Sequence, residues 1–106
     1  MSSCEFHHFG VPTKAKQPGE MYIEAGKVYI TDASKHPFKI EFLRFEANSP
    51  MPDVVKTRCH AAFLVSSLAD ALEGRNVIIP PFDATASLRC AFITEGDAVI
   101  ELMEAK

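Results

Sequence analysis

Short apolar stretches separated by turn-forming residues run along the whole chain, and they predict strands rather than long helices. The predicted strands cover residues 6–11, 21–24, 27–31, 39–46, 58–65, 77–79, 88–94 and 98–104. A single helix is predicted to begin after Ser67, which can cap it together with Asp70, and to end at Gly74. The strand at 77–79 is expected to stop at the Pro80-Pro81 pair, because proline lacks the backbone N–H.

The order of these elements is repeated. The turn-rich segment 47–53, which contains two prolines, divides the chain into two halves. The second half reads as strand, helix and three strands, and the first half has the same strands with the proline-bounded segment 12–19 in place of the helix. We therefore expect one domain, residues 1–106, built from a module at about 5–47 and a second at about 57–105.

Each half also has a histidine at the start of an apolar stretch and, later, a glutamate between large apolar neighbours. His8 is followed by Ile40-Glu41-Phe42, and His60 by Ile100-Glu101-Leu102. An ionised carboxylate in such surroundings is costly to bury alone, so each glutamate is expected to have a cationic partner. Two imidazoles and two carboxylates suit one divalent ion, Zn, Ni, Co, Mn or Fe(II).

Other assignments compete with this one. Neighbours in a strand face opposite sides, so either His7 or His8 can point inward, and the residues alone do not decide between them. Single histidines and glutamates are usually ordinary core or surface residues, but the same pair found twice favours a metal. A structural zinc site at Cys4 or Cys59 is disfavoured, because their spacing to the histidines matches no known zinc module.

Arginines and large apolar residues supply further candidates. An anionic substrate group has three candidate partners, each of which is more often a surface charge: Arg44, Arg58 and Arg89. A hydrophobic pocket has six candidate residues, most of which core packing also explains: Phe45, Met51, Phe63, Phe82, Phe92 and Met103. Met103 is the strongest of these because strand alternation puts it on the same face as Glu101.

Composition narrows the class of protein. A chain of 106 residues with 47% hydrophobic composition can bury a core of its own. The net charge of −3 and the lack of a basic run argue against a nucleic acid or an anionic membrane as partner. Three cysteines at irregular spacing, without a targeting signal or an apolar run long enough to span a bilayer, predict a cytoplasmic protein without disulfides.

Four segments, taken in order, resemble the vicinal oxygen chelate superfamily, which includes glyoxalase I and methylmalonyl-CoA epimerase. They are His7-His8-Phe9-Gly10-Val11, Lys39-Ile40-Glu41-Phe42-Leu43, Cys59-His60-Ala61-Ala62-Phe63 and the segment 91–102. The resemblance covers nearly the whole chain and favours His8 over His7, giving the metal ligands His8, Glu41, His60 and Glu101. It implies an α+β fold in which paired βαβββ modules form an open, U-shaped barrel, with the helix of the first module replaced here by a loop.

The resemblance also implies a function. We expect a metal-dependent lyase, isomerase or epimerase that acts on a small substrate with vicinal oxygens through a metal-stabilised enolate or enediolate. Glu101 is the first candidate for the base and Glu41 the second. The alternative is a non-catalytic module of the same fold that binds or sequesters a small molecule. A homodimer is expected, because open barrels leave strand edges that need cover.

Overall fold

The computed structural model describes residues 3–106; Met1 and Ser2, with which the predicted domain 1–106 begins, lie outside the described residues. Eight strands form one mixed sheet that curls into a half-barrel. The strands are β1 Cys4–Pro12, β2 Met21–Ile23, β3 Val28–Ile30, β4 Ile40–Phe45, β5 His60–Val65, β6 Asn76–Thr85, β7 Leu88–Glu95 and β8 Ala98–Ala105. The helices are short: α1 Asp53–Thr57 and α2 Leu68–Leu72, with single 3-10 turns at Glu24–Gly26 and Ala33–Lys35.

The strand order is the same in the two halves of the sheet. The complete order is β2-β3-β4-β1-β5-β8-β7-β6, so β1 and β5 lie side by side at the centre. These two strands are antiparallel to each other. Each of them pairs in parallel with the last strand of its own half, β1 with β4 and β5 with β8. The four central strands are therefore the first and the last strand of each half.

Most of the predicted strands are confirmed, but the end predicted for the strand at 77–79 is wrong. β6 continues through Pro80 and Pro81 as far as Thr85. It is an edge strand, and its pairing with β7 shifts register between Val77 and Ile79 and again between Ile79 and Phe82. At an edge and beside bulges the missing proline N–H costs no ladder hydrogen bond, so the strand is not interrupted.

The two helices differ in how far the sequence predicts them. α2 begins as expected, since the Ser67 hydroxyl accepts a hydrogen bond from the Asp70 backbone N–H at 3.2 Å. α1 has no counterpart among the predicted elements. It is five residues long and begins after Pro52, and it buries Val55 almost completely, so tertiary packing and not helix propensity stabilises it.

The helices cover opposite sides of the second half of the sheet. On one side α2 packs on a cluster formed by Val65, Leu68, Ala91, Ile93 and Leu102. On the other side Val55 of α1 packs against Phe92 and Val99. Neither helix could span a bilayer, which takes about 20 residues; within residues 3–106 they have five residues each.

The loop between β1 and β2 has no helix, as the sequence predicts: residues 13–20 form turns and bends. Its end is fastened to β4 by Glu20, which accepts two hydrogen bonds from Arg44, at 2.9 and 2.7 Å. The guanidinium also lies 4.3 Å from the centroid of the Tyr29 ring. The Arg44 hydrogen bonds lower the pKa of Glu20 to about 2, so Arg44 is engaged in holding this loop.

Candidate metal centre

The four residues predicted as metal ligands lie together on the four central strands. His8 and His60 come from β1 and β5, and Glu41 and Glu101 from their parallel neighbours β4 and β8. One potential ligand atom from each residue lies within 4.8 Å of the others. Both histidines are buried, at 3% and 1% exposure, and both carboxylates are nearly so. Residues that are 41 positions apart thus meet because β5 and β8 pair in parallel.

Glu101 occupies the middle of this cluster. Its Oε1 atom lies 3.1 Å from Nε2 of His60 and 3.4 Å from Nε2 of His8. The Glu41 Oε1 atom lies 3.3 Å from the same His8 nitrogen. Each carboxylate therefore faces at least one imidazole, and neither lies on the solvated surface, as the apolar neighbours of both glutamates in sequence predict.

The proximity of these groups shifts two of their pKa values. Burial disfavours the charged form of His8, but its contacts with Glu101 and Glu41 outweigh burial and raise its pKa to about 9. Burial also disfavours ionised Glu101, yet the contacts with His60 and His8 lower its pKa to about 2. Among the four side chains alone, Glu101 is therefore an anion that a cation must balance.

The donor atoms fit a divalent ion. Within the part of the chain that the structure describes, His8 Nε2 and His60 Nδ1 are buried without a well-aligned hydrogen-bond partner. His8 Nε2 faces both carboxylates and is costly to bury there unless a ligand satisfies it, whereas His60 faces Glu101 through its other ring nitrogen, Nε2. Two donors bound to one ion at about 2.1 Å can be at most about 4.2 Å apart, so a small contraction of the cluster would suffice. Two imidazole nitrogens and two carboxylate oxygens suit a borderline divalent metal.

His7 contacts His8, although the side chains of neighbouring residues in a regular strand point to opposite faces. β1 and β5 pair Phe6 with Phe63 but His8 with Ala62, so His7 is an extra residue in a β-bulge. Its Nδ1 atom lies 2.8 Å from Nδ1 of His8. His7 itself is exposed, so it stands at the rim and His8 within the cluster.

Gly10 is a site residue that the sequence analysis did not identify. It lies opposite His60 across the β1–β5 pair, and a Cβ atom at this position would lie 2.2 Å from Cε1 of the His60 ring. The ring packs over the bare glycine backbone and edge-on against Phe92, with centroids 5.3 Å apart. A glycine inside a strand pattern is a known signal for such close approach.

The cluster opens into a small apolar cavity of about 100 Å³ between the sheet and α1. Three of the four residues, His8, Glu41 and Glu101, line its polar end. The remaining lining is mostly apolar and includes Ile30, Phe45, Met51, Val55, Phe82, Leu88 and Met103. Met103 thus shares a cavity with Glu101, as strand alternation predicts. Among residues 3–106, no lysine or arginine lines this cavity.

The other candidates from the sequence lie elsewhere. Arg58 donates to the Asp97 carbonyl at 3.3 Å, and Arg89 lies 3.4 Å from Asp83 on the surface. Cys4 and Cys59 are exposed, and in the described range neither belongs to a group of potential metal ligands. A larger groove of about 610 Å³ beside α2 contains none of the four clustered residues, so size alone does not identify the site.

Buried Cys90 also lines the cavity. Burial, followed by the negative charge of Glu101, raises the pKa of its thiol. A thiol so strongly held in the protonated form is a poor metal ligand and a poor nucleophile. Cys90 therefore contributes packing to the cavity wall.

Comparison with known proteins identifies the fold and no more. No protein-family model matches the chain, and no curated protein matches it. Among solved structures, a hypothetical protein from Bacillus halodurans C-125 superposes with a TM-score of 0.75 at 20% sequence identity, covering 98% of this chain and 96% of the other. The two proteins therefore share a fold over nearly their entire lengths.

Proposed function

We propose that this chain is a metal-dependent enzyme of the vicinal oxygen chelate type, a lyase, isomerase or epimerase. The observation that carries the proposal is the buried group of His8, Glu41, His60 and Glu101, with ligand atoms within 4.8 Å of one another at the end of a cavity. Zn, Ni, Co, Mn and Fe(II) are the ions that such a donor set suits.

The finer description of the fold belongs to the same proposal. In each half, the first strand pairs in parallel with the last, and the two middle strands continue outward to the edge. This order supports two related βαβββ modules joined at the β1–β5 pair, with the helix of the first replaced by the loop 13–20. Such modules leave an open barrel with the site on its concave face.

The chemistry assigned to the chain is removal of a proton from a carbon next to a carbonyl. A bound divalent ion supplies Lewis-acid stabilisation to the negative charge that develops on the two neighbouring oxygens. Glu101 accepts the proton, because its Oε1 lies at the centre of the cluster and its carboxylate lines the cavity. Glu41, on the opposite side of His8, is the second candidate for this role.

The cavity supports a small substrate with an uncharged body. A volume of about 100 Å³ accommodates roughly three water molecules, or about five non-hydrogen ligand atoms. The two carboxylates balance a divalent ion, and no cation among the described lining residues is left for a second anionic group. A buried, unpaired carboxylate or phosphate on the substrate would therefore be costly.

Metal binding is the first test. Protein stripped of metal and then titrated with Zn²⁺ or Co²⁺ is expected to bind one ion per chain. Calorimetry measures the binding of either ion, and the absorption spectrum reports the binding of Co²⁺. The His60→Ala variant is expected to lose this binding because it removes one of the two imidazoles. A wild-type chain that binds no divalent metal would overturn the proposal and leave the non-catalytic binding module as the better account.

Hydroxamates, which offer two neighbouring oxygens to a metal, test the substrate class. The metal-loaded protein is expected to bind acetohydroxamate, which has five non-hydrogen atoms, at least tenfold more tightly than the monohydroxamate of oxalic acid, in which a carboxylate replaces the methyl group. The reason is the unpaired charge in an apolar cavity, and tenfold corresponds to about 1.4 kcal/mol. Competition calorimetry measures both affinities. Equal binding of the two compounds would contradict the uncharged substrate class and leave the metal site unaffected.

The expected homodimer is also part of the proposal. Phe6 and Phe9 on β1 are 48% and 39% exposed. Alternation places Phe9 on the face opposite His8, outside the cavity. A second copy of the chain would cover such an apolar surface, and sedimentation equilibrium measures the association.

A further inference from the structure

The β-bulge in β1 creates a contact that a regular strand does not allow. Side chains of consecutive residues in a strand point to opposite faces, and their rings do not meet. Because His7 is the extra residue between the Phe6–Phe63 and His8–Ala62 pairs, it turns to the side of His8. The two imidazole centroids lie 5.1 Å apart, and the two Nδ1 atoms 2.8 Å apart.

The hydrogen bond between the two Nδ1 atoms requires one proton, and the position of His8 decides which ring carries it. Nε2 of His8 faces Glu41 and Glu101 at 3.3 and 3.4 Å, which is the direction of the metal cluster. A histidine that binds a metal through Nε2 is neutral and carries its proton on Nδ1. Nδ1–H of His8 would then donate, and Nδ1 of His7 would accept.

We infer that His7 is a positioning residue that holds His8 in the Nδ1–H tautomer, with Nε2 directed at the metal. The inference rests on the proposed metal site and adds to it a residue outside the four ligands. Ligating histidines commonly donate their other ring N–H to a carboxylate, carbonyl or water, which fixes the tautomer and the ring orientation. Here a second imidazole, brought alongside by the bulge, occupies that position.

Two substitutions at His7 distinguish a role as hydrogen-bond acceptor from a role in filling space. His7→Leu fills similar space without an acceptor, and it is expected to weaken Zn²⁺ binding about 10- to 100-fold, the usual effect of losing such a partner. His7→Asn places an amide oxygen close to the position of Nδ1 and is expected to restore the affinity to within about threefold. Calorimetric titration with Zn²⁺ measures both, and His36→Leu, a histidine that contacts Phe38 instead of the cluster, is the control.

A spectroscopic measurement on the unmutated protein tests the same inference independently of folding. In the Zn²⁺-loaded wild type, long-range ¹H–¹⁵N NMR is expected to show His8 protonated at Nδ1, with a slowly exchanging ring proton. That proton is expected to exchange rapidly in His7→Leu. Unchanged Zn²⁺ affinity in His7→Leu, no recovery in His7→Asn, or His8 protonated at Nε2 would each overturn the role of His7. Only a wild type without metal binding would overturn the proposed function as well.

Discussion

Glu101→Gln is expected to abolish proton removal while the chain remains folded. The glutamine is nearly isosteric, but it cannot accept a proton at neutral pH and it removes the charge that lies between His8 and His60. Hydroxyacetone, with five non-hydrogen atoms and two neighbouring oxygens, is the probe. The metal-loaded wild type is expected to accelerate deuterium exchange at the acidic carbons of hydroxyacetone in D₂O. The exchange rate with the variant is expected to be at least 100-fold lower than with the wild type, as measured by NMR.

Saturation with metal separates a lost base from a lost ligand. The variant is also expected to bind Zn²⁺ at least tenfold more weakly, so the exchange is measured at metal concentrations that fill the site. Glu95→Gln is the matched control, because Glu95 pairs with Arg75 on the surface and does not line the cavity. Undiminished exchange in Glu101→Gln would remove Glu101 from the mechanism, and Glu41→Gln would then be the variant expected to lose it.

Gly10→Ala is expected to cost both stability and metal binding. The added methyl group would stand 2.2 to 2.7 Å from three atoms of the His60 ring, and that ring is 1% exposed with Phe92 against it. The ring has no free space to move into, so we expect the free energy of unfolding to fall by about 1–3 kcal/mol, the usual cost of overpacking a core. Urea unfolding of the metal-free variant measures this loss, and Zn²⁺ titration measures the displacement of His60.

A double-mutant cycle identifies the clash as the cause. Removing the ring in Gly10→Ala/His60→Ala makes room for the methyl group, so the double variant is expected to be more stable than the sum of the single changes. Metal binding is not expected to return, because the imidazole is gone. Additive losses of stability would show that Gly10 matters for some reason other than the position of the His60 ring.

Local patterns in the sequence are sufficient for much of the secondary structure and for the chemistry of the site. Alternation of apolar residues predicts most of the strands, and the Ser67 cap predicts the start of α2. The apolar neighbours of Glu41 and Glu101 indicate carboxylates that need a cation, and the structure places both beside imidazoles. These inferences succeed because each depends on residues close together in the chain.

Where sequence reasoning fails, the deciding interaction is between distant residues. β6 extends past Pro80 because its position at the sheet edge removes the need for that N–H. α1 forms because Val55 is buried against Phe92 and Val99, and neither contact is visible in its own five residues. His7 lies beside His8 because the pairing of β1 with β5 slips by one residue, which no property of the segment 6–8 indicates.

By itself, the sequence determined where most of the strands lie, which carboxylates need a partner, and that two histidines accompany them. Only the tertiary structure decided that these four side chains meet, that Gly10 makes room for His60, and that the cavity holds about 100 Å³ without a lysine or arginine among its described lining residues. The physical reason is that strand register and closure depend on pairing and burial summed over residues far apart in the chain. Local propensity carries no information about that sum.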